Sequence, residues 1–163
     1  AAPILFQKGN PIKFLDVLNG FILVIADSAS ASSTAEMVEG VRERWQEDRA
    51  KYDQLFEQIA SVTTQVHEVL SKGNMVNSGA LLTENHQLLR EIGVSTPILD
   101  QMVKAAIEAG ASGAKLSGGG GGGNIIAVVS PGSVDRVSAA LLSNGARNII
   151  VTAISGKGDS THE

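Results

Sequence analysis

The chain of 163 residues contains no cysteine, which removes disulfide staples and thiolate metal ligation together. Its three histidines, His67, His86 and His162, stand far apart and never in a ligand spacing such as H-x-x-x-H, so no metal motif is legible. An excess of basic residues is missing too. The net charge of -4 gives no support to nucleic-acid or anionic-membrane binding, which needs clustered Lys and Arg. Long hydrophobic runs are absent as well: Phe21 to Ala26, the longest early one, is too short to span a bilayer. The N-terminus shows no basic region followed by an apolar stretch, so no signal peptide is expected and cytoplasmic residence is the default.

What is present is an ordinary folded balance, 43% apolar and 18% charged, at a length where one domain with an unstapled core is the default. One stretch organises the rest. Lys115-Leu116-Ser117 runs into six consecutive glycines, Gly118 to Gly123, and then into Asn124-Ile125-Ile126-Ala127-Val128-Val129. Residues without a Cβ hold no core together and lose the most backbone entropy on ordering. Such a run is either a disordered tether or a place where backbone N–H groups approach something closely. A tether sits between polar, unstructured flanks, whereas here a helix-like segment precedes and an apolar, β-branched run follows. The composition therefore favours a tight loop inside a folded domain.

Elimination narrows what that loop grips. G-x-G-x-x-G is matched trivially at Gly118, Gly120 and Gly123, but a dinucleotide fingerprint needs a helix directly afterwards and an acid about twenty residues on. A strand follows instead, and Asp135 comes too early. A Walker loop fails as well, because Gly156-Lys157 is followed by Gly158 and Val151 stands where the first glycine should be. A glycine turn leading into a strand remains, with N–H groups able to form a nest for anionic oxygens.

The block Gly113-Ala114-Lys115-Leu116-Ser117 with Gly118 to Gly123 resembles the third motif of the GHMP kinases, in its mevalonate kinase version K-L-[ST]-G-[AG]-G-x-G-G. Asn85-His86-Gln87-Leu88-Leu89, Ile92-Gly93-Val94-Ser95, Leu99-Asp100 and Ala109-Gly110-Ala111 resemble the helix pair ahead of it. Asp27-Ser28, Ser32-Ser33-Thr34-Ala35-Glu36 and Val41-Arg42 resemble the segment where the family's C-terminal half begins. The likeness runs from about Gly20 to Ile154, departing at Gly119, where many relatives carry Ala, and at Asn124.

This resemblance implies an α+β fold: a ferredoxin-like C-terminal domain with several helices packed on an antiparallel sheet. Residues 1–27 are expected to be strands belonging to the sheet of an N-terminal domain, 28–155 the C-terminal domain, and 156–163 a polar tail. It also implies that Lys115, Ser117 and Gly118, Gly119, Gly120, Gly121, Gly122 and Gly123 lie beside the phosphates of ATP, and that Asp27 and Thr34 lie near the pocket of a small, mevalonate-like alcohol. The family's main phosphate loop, its metal-binding acid for Mg2+ and its catalytic Asp and Lys belong to the N-terminal half, and none of those motifs occurs here. The expectation is thus the C-terminal half of a kinase, without catalytic residues of its own and inactive alone, partnered by the missing N-terminal half. Phosphomevalonate or another small-molecule kinase is the alternative within the class; a non-catalytic binding or interaction module lies outside it.

Read residue by residue, Asp27 also serves as a strand-end turn residue. Ser33-Thr34-Ala35-Glu36 spells a capping box, and the helix N-terminus behind it is an anion site. Ser117 can cap the loop as readily as bind phosphate, and Lys115 reads equally as a surface charge. Helical spacing continues through Val38, Val41 and Trp45 and again from Tyr52 to Leu70, with Gly73 as a stop. Met75 to Ile92 and the segment opened by Thr96-Pro97 are further helices. Pro131 to Leu142 completes the helices and Asn148 to Ile154 the strands. Glu84 and His86 read as helix-surface residues outside any catalytic set. The strands before Gly20 and around Ile22 are expected to present an unpaired edge or apolar face, open to homodimerisation.

Overall fold

The structure is a computed structural model that describes residues 3–30, 33–73 and 75–157, with backbone alone at 75–77. Two short strands, β1 (Ile4–Leu5) and β2 (Lys13–Phe14), pair antiparallel as a separate two-stranded sheet. Then comes β3 (Phe21–Asp27), followed by four helices: α1 (Thr34–Glu47), α2 (Arg49–Lys72), α3 (Met75–Ile92) and α4 (Pro97–Glu108). The chain closes with β4 (Gly113–Ser117), β5 (Asn124–Val129), a 3-10 turn at Pro131–Ser133, α5 (Val134–Ser143) and β6 (Asn148–Ile154). No helix among the described residues is long and apolar enough to cross a membrane.

The main sheet has the order β4-β5-β3-β6, antiparallel throughout. A β-α-β-β-α-β chain with its first strand in the interior is the ferredoxin-like arrangement, here with four helices in the first crossover. This corrects the division after residue 27. β3 pairs along its length with β5 and β6, from Ile22↔Val129 to Asp27↔Asn124 on one side and Phe21↔Ile154 to Asp27↔Asn148 on the other. An uninterrupted apolar strand belongs in the sheet interior, so Ile22 offers no free edge.

Alternation along the strands sets the core. Val24 and Ala26 of β3, Ala114 and Leu116 of β4, and Ile125, Ala127 and Val129 of β5 share one face, the one that packs into the core with Leu99, Met102 and Val103 of α4 and Val137 and Leu141 of α5. The exposed face of the first helical stretch carries its charges as expected, with Arg42 and Glu39 paired 3.2 Å apart. The two apolar stripes of the sequence are two helices, α1 and α2. Asp48 ends α1 and caps α2, its carboxylate accepting from Lys51 N at 3.1 Å. The other caps match the sequence: Ser33 Oγ accepts from Glu36 N, Thr96 Oγ1 from Leu99 N, and Gly73 closes α2 in the left-handed conformation.

At the edge of the sheet α3 lies backbone to backbone on β4. A Cβ on Gly79 would overlap Ser112, and one on Gly113 would overlap Gly79 itself. The beginning of the expected tail is held too, since Lys157 N donates to Val17 O at 2.8 Å and its ammonium pairs with Asp16. Residues 158–163, with His162, lie outside the described residues.

Candidate functional site: the glycine loop

The polyglycine run is an ordered turn between β4 and β5 at the end of the sheet. Five of its six glycines have positive φ, from +72° at Gly121 to +155° at Gly122, a region that L side chains rarely enter. Its backbone is pinned at three points. Gly121 N donates to Val94 O, Gly123 N donates to Ser30 O, and Gly123 O accepts from Ser28 N, each at 2.8 Å. Two of these contacts leave no room for a side chain: a Cβ on Gly120 would overlap the Val94 carbonyl, and one on Gly122 the Ser30 carbonyl. At Gly118 and Gly123 a Cβ would meet open space. The run is thus gripped on one side and open on the other.

Thr34 is brought to this turn. It opens α1, and a Cβ on Gly119 would stand 3.0 Å from its Cγ2 and Oγ1. The positive dipole end of a 14-residue helix therefore stands beside Gly119. Capping by Ser33 and proximity to the loop coexist in this segment. Ser117 lies exposed at the last position of β4, opposite Asn124.

Asp27 sits beside the loop but is fully occupied. Oδ1 accepts from Ala29 N at 2.9 Å, and Oδ2 receives Arg147 Nη2 at 2.6 Å and Nε at 3.1 Å. The bond from Ala29, reinforced by Arg147, holds the carboxyl below the usual aspartate range. This turn keeps Ala29 at φ +58° and presents the Ser30 carbonyl to the loop. The turn role is visible; a contact to a substrate is not.

Lys115 points elsewhere. Its side chain lines a cavity of about 280 Å³ with Ile4, Leu5, Leu81, Asn85 and Ile126, to which the glycine run contributes nothing. Burial pulls its ammonium below the ordinary lysine value, and no carboxylate among the described residues pairs with it. Among the described residues no three His, Asp or Glu gather as a metal site.

One participant escaped the sequence reading. His86 is 4% exposed, not on the helix surface. Its Nδ1 accepts from Leu116 N at 3.3 Å and its Nε2 faces Asp100 Oδ1 at 3.1 Å. A signal existed: His86 falls on the same helical stripe as Leu82 and Leu89, and Asp100 supplies the polar partner that a buried imidazole requires.

Comparison with known proteins agrees with this geometry. Residues 66–147 match the family described as GHMP kinases C terminal. The mevalonate kinase of Methanothermobacter thermautotrophicus is 41% identical over 75% of this chain and 40% of its own length, and that of Pyrococcus abyssi 36% identical over 83% and 42%. The crystal structure of L. major mevalonate kinase in complex with R-mevalonate superposes with a TM-score of 0.89 at 29% identity, over 94% of this chain and 49% of that one. The chain spans less than half the length of each of these relatives. With its ferredoxin-like sheet, its pinned polyglycine turn and a family match over half its residues, this chain belongs to the GHMP kinases, as a C-terminal domain of the mevalonate kinase type.

Proposed function

We propose that the chain acts as the C-terminal half of an ATP-dependent kinase that phosphorylates mevalonate or a close alcohol. In this reading the glycine loop receives the nucleotide's phosphates and the segment from Asp27 to Thr34 forms one wall of the acceptor pocket. The observation that carries it is the contact of the glycine turn with the N-terminus of α1, where Gly119 lies against Thr34. A glycine turn and a helix N-terminus side by side suit phosphate oxygens. Phosphoryl transfer asks mainly for positioning and charge stabilisation, and pre-shaped amides supply these without reorganising.

The division of labour follows from the residues. No group of three metal-ligating side chains exists among the described residues, and two carboxylates of this region, Asp27 and Asp100, are committed to Arg147 and to His86 and Arg90. Neither is free to take a proton from an acceptor hydroxyl. Mg2+, the base and the second phosphate loop accordingly belong to polypeptide beyond this chain, the N-terminal half, and the joined enzyme works in the cytoplasm. Relatives at 41% and 36% identity that are mevalonate kinases favour mevalonate over phosphomevalonate as acceptor.

A chimera tests this reading. The N-terminal portion of the Methanothermobacter thermautotrophicus mevalonate kinase, joined to this chain at Gly20, is expected to phosphorylate mevalonate with ATP, while the 163-residue chain alone shows none. Turnover by the isolated chain defeats the division of labour. A folded chimera that binds mevalonate but not ATP defeats the role of the loop.

A further inference from the structure

β4 is an edge strand, so some of its amides lack a ladder partner. Leu116 N–H is one of these, and it lies on a residue only 1% exposed, one position before Ser117 and the glycine run. A buried N–H with no acceptor is costly. His86 of α3 fills the vacancy by accepting it at Nδ1, 3.3 Å away. An accepting Nδ1 carries no proton, so the ring hydrogen is on Nε2 and is donated to Asp100 Oδ1 at 3.1 Å. Asp100 also accepts from Ser95 Oγ at 2.6 Å and pairs with Arg90 Nε at 2.9 Å. Ser95 adjoins Val94, whose carbonyl takes the amide of Gly121. The loop is thus held at its start through His86 and at its middle through Val94, and both holds come from the corner where α3 meets α4.

We infer that His86, oriented by Asp100, is a positioning residue for the glycine loop: as the neutral Nε2–H tautomer it fixes the end of β4, and with it the aim of the loop amides, and protonation releases that hold. A second ring proton would sit on Nδ1, facing the Leu116 N–H donor to donor. The charged groups around the ring are Asp100 on α4, Arg90 on α3 and Lys115 on β4, with Lys104 and Glu108 of α4, 3.8 Å from each other, along the adjoining cleft. Burial keeps the imidazole below its ordinary value against the opposing pull of Asp100, so the neutral ring prevails at neutral pH. A base with a lowered pKa binds fewer protons folded than unfolded. Its stabilisation is therefore complete above the ordinary imidazole value of 6.5 and declines as the pH falls below it.

The importance of this hold for phosphate binding rests on the function proposed above; the hold itself does not. Amide NMR spectra of the 163-residue chain, with and without the ATP analogue AMPPNP, separate the two. Wild type is compared with His86→Phe, which has no acceptor, and His86→Asn, which keeps an acceptor near Nδ1 but cannot be protonated. Between about pH 7.5 and about pH 5, the Leu116 and Gly118–Gly123 amides of the wild type are expected to move together with the His86 ring. His86→Asn keeps the wild-type positions at the higher pH and loses the response. His86→Phe displaces the same glycine amides and speeds exchange of the Leu116 amide roughly tenfold or more, while β6 stays unchanged. Glycine amides indifferent to His86→Phe overturn the inference; if that variant does not fold, a full pH response retained by His86→Asn does so. Loop amides that obey His86 in the chain, while the chimera joined at Gly20 fails to bind AMPPNP, leave the hold standing and remove the phosphate reading. Amides that respond to AMPPNP but to no His86 variant do the reverse.

Discussion

In the β1–β2 hairpin the side chains are large and apolar, yet Phe6 and Phe14 are 67% and 76% exposed and only two residue pairs hold the strands. In the glycine loop there are no side chains at all, yet three backbone bonds of 2.8 Å fix its path. Apolar content does not order a segment unless a surface is there to cover it. Main-chain groups do order one, if partners are waiting at the right distance. Within the loop itself, Gly120 and Gly122 press on neighbouring carbonyls while Gly118 and Gly123 face open space. Four chemically identical residues thus divide into two kinds of position.

The largest way to break this contrast is Gly120→Ala or Gly122→Ala. Each combines a positive φ with steric overlap on a carbonyl, and about 2–4 kcal/mol should be lost in urea unfolding. Gly118→Ala, with a positive φ and no overlap, should lose only about 1–2 kcal/mol. Equal losses at all three positions would show that the gripped and open sides are not different.

A smaller effect is expected at Asp27. Its folded carboxyl titrates below the ordinary value of 3.8, so the stability it contributes is present above that pH and is lost as the pH falls through the folded value. Asp27→Asn should flatten the acid limb of a stability-against-pH curve, and an unchanged limb would deny the turn its electrostatic share. The smallest effect belongs to the hairpin. Phe14→Ser is expected to alter stability by less than about 0.5 kcal/mol, whereas a large loss would mean that this exposed ring is covered in solution.

Much of this architecture was legible in the sequence, for physical reasons that differ from element to element. Thr96-Pro97 and Gly73 mark helix ends because cap chemistry is local. Phe21 to Ala26 reads as a buried strand for its unbroken apolar run, but its neighbours cannot be read locally: β5 and β6 lie about a hundred residues further on, so assigning β3 to another domain's sheet was the natural error. The glycine loop announced its position and its likeness to a family; that Thr34 lies against Gly119 was not legible, because nothing local links residues so far apart in the chain. His86 was misjudged because its burial depends on α4 and β4, neither of which its own helix reveals. Lys115 adjoins the loop in sequence, but strand alternation turns it to the opposite face from Leu116.

The interior place of β3 also shapes the birth of the molecule. During synthesis Phe21–Asp27 is made before the four helices α1 to α4, and its two neighbours, Asn124–Val129 and Asn148–Ile154, only after them. While those helices are being made, a mostly apolar ribbon with both flanks unmet must be kept from its counterparts on other nascent chains. Such waiting segments nucleate cross-β association, so recombinant yield should depend on chaperone supply and growth temperature more than the finished fold would suggest.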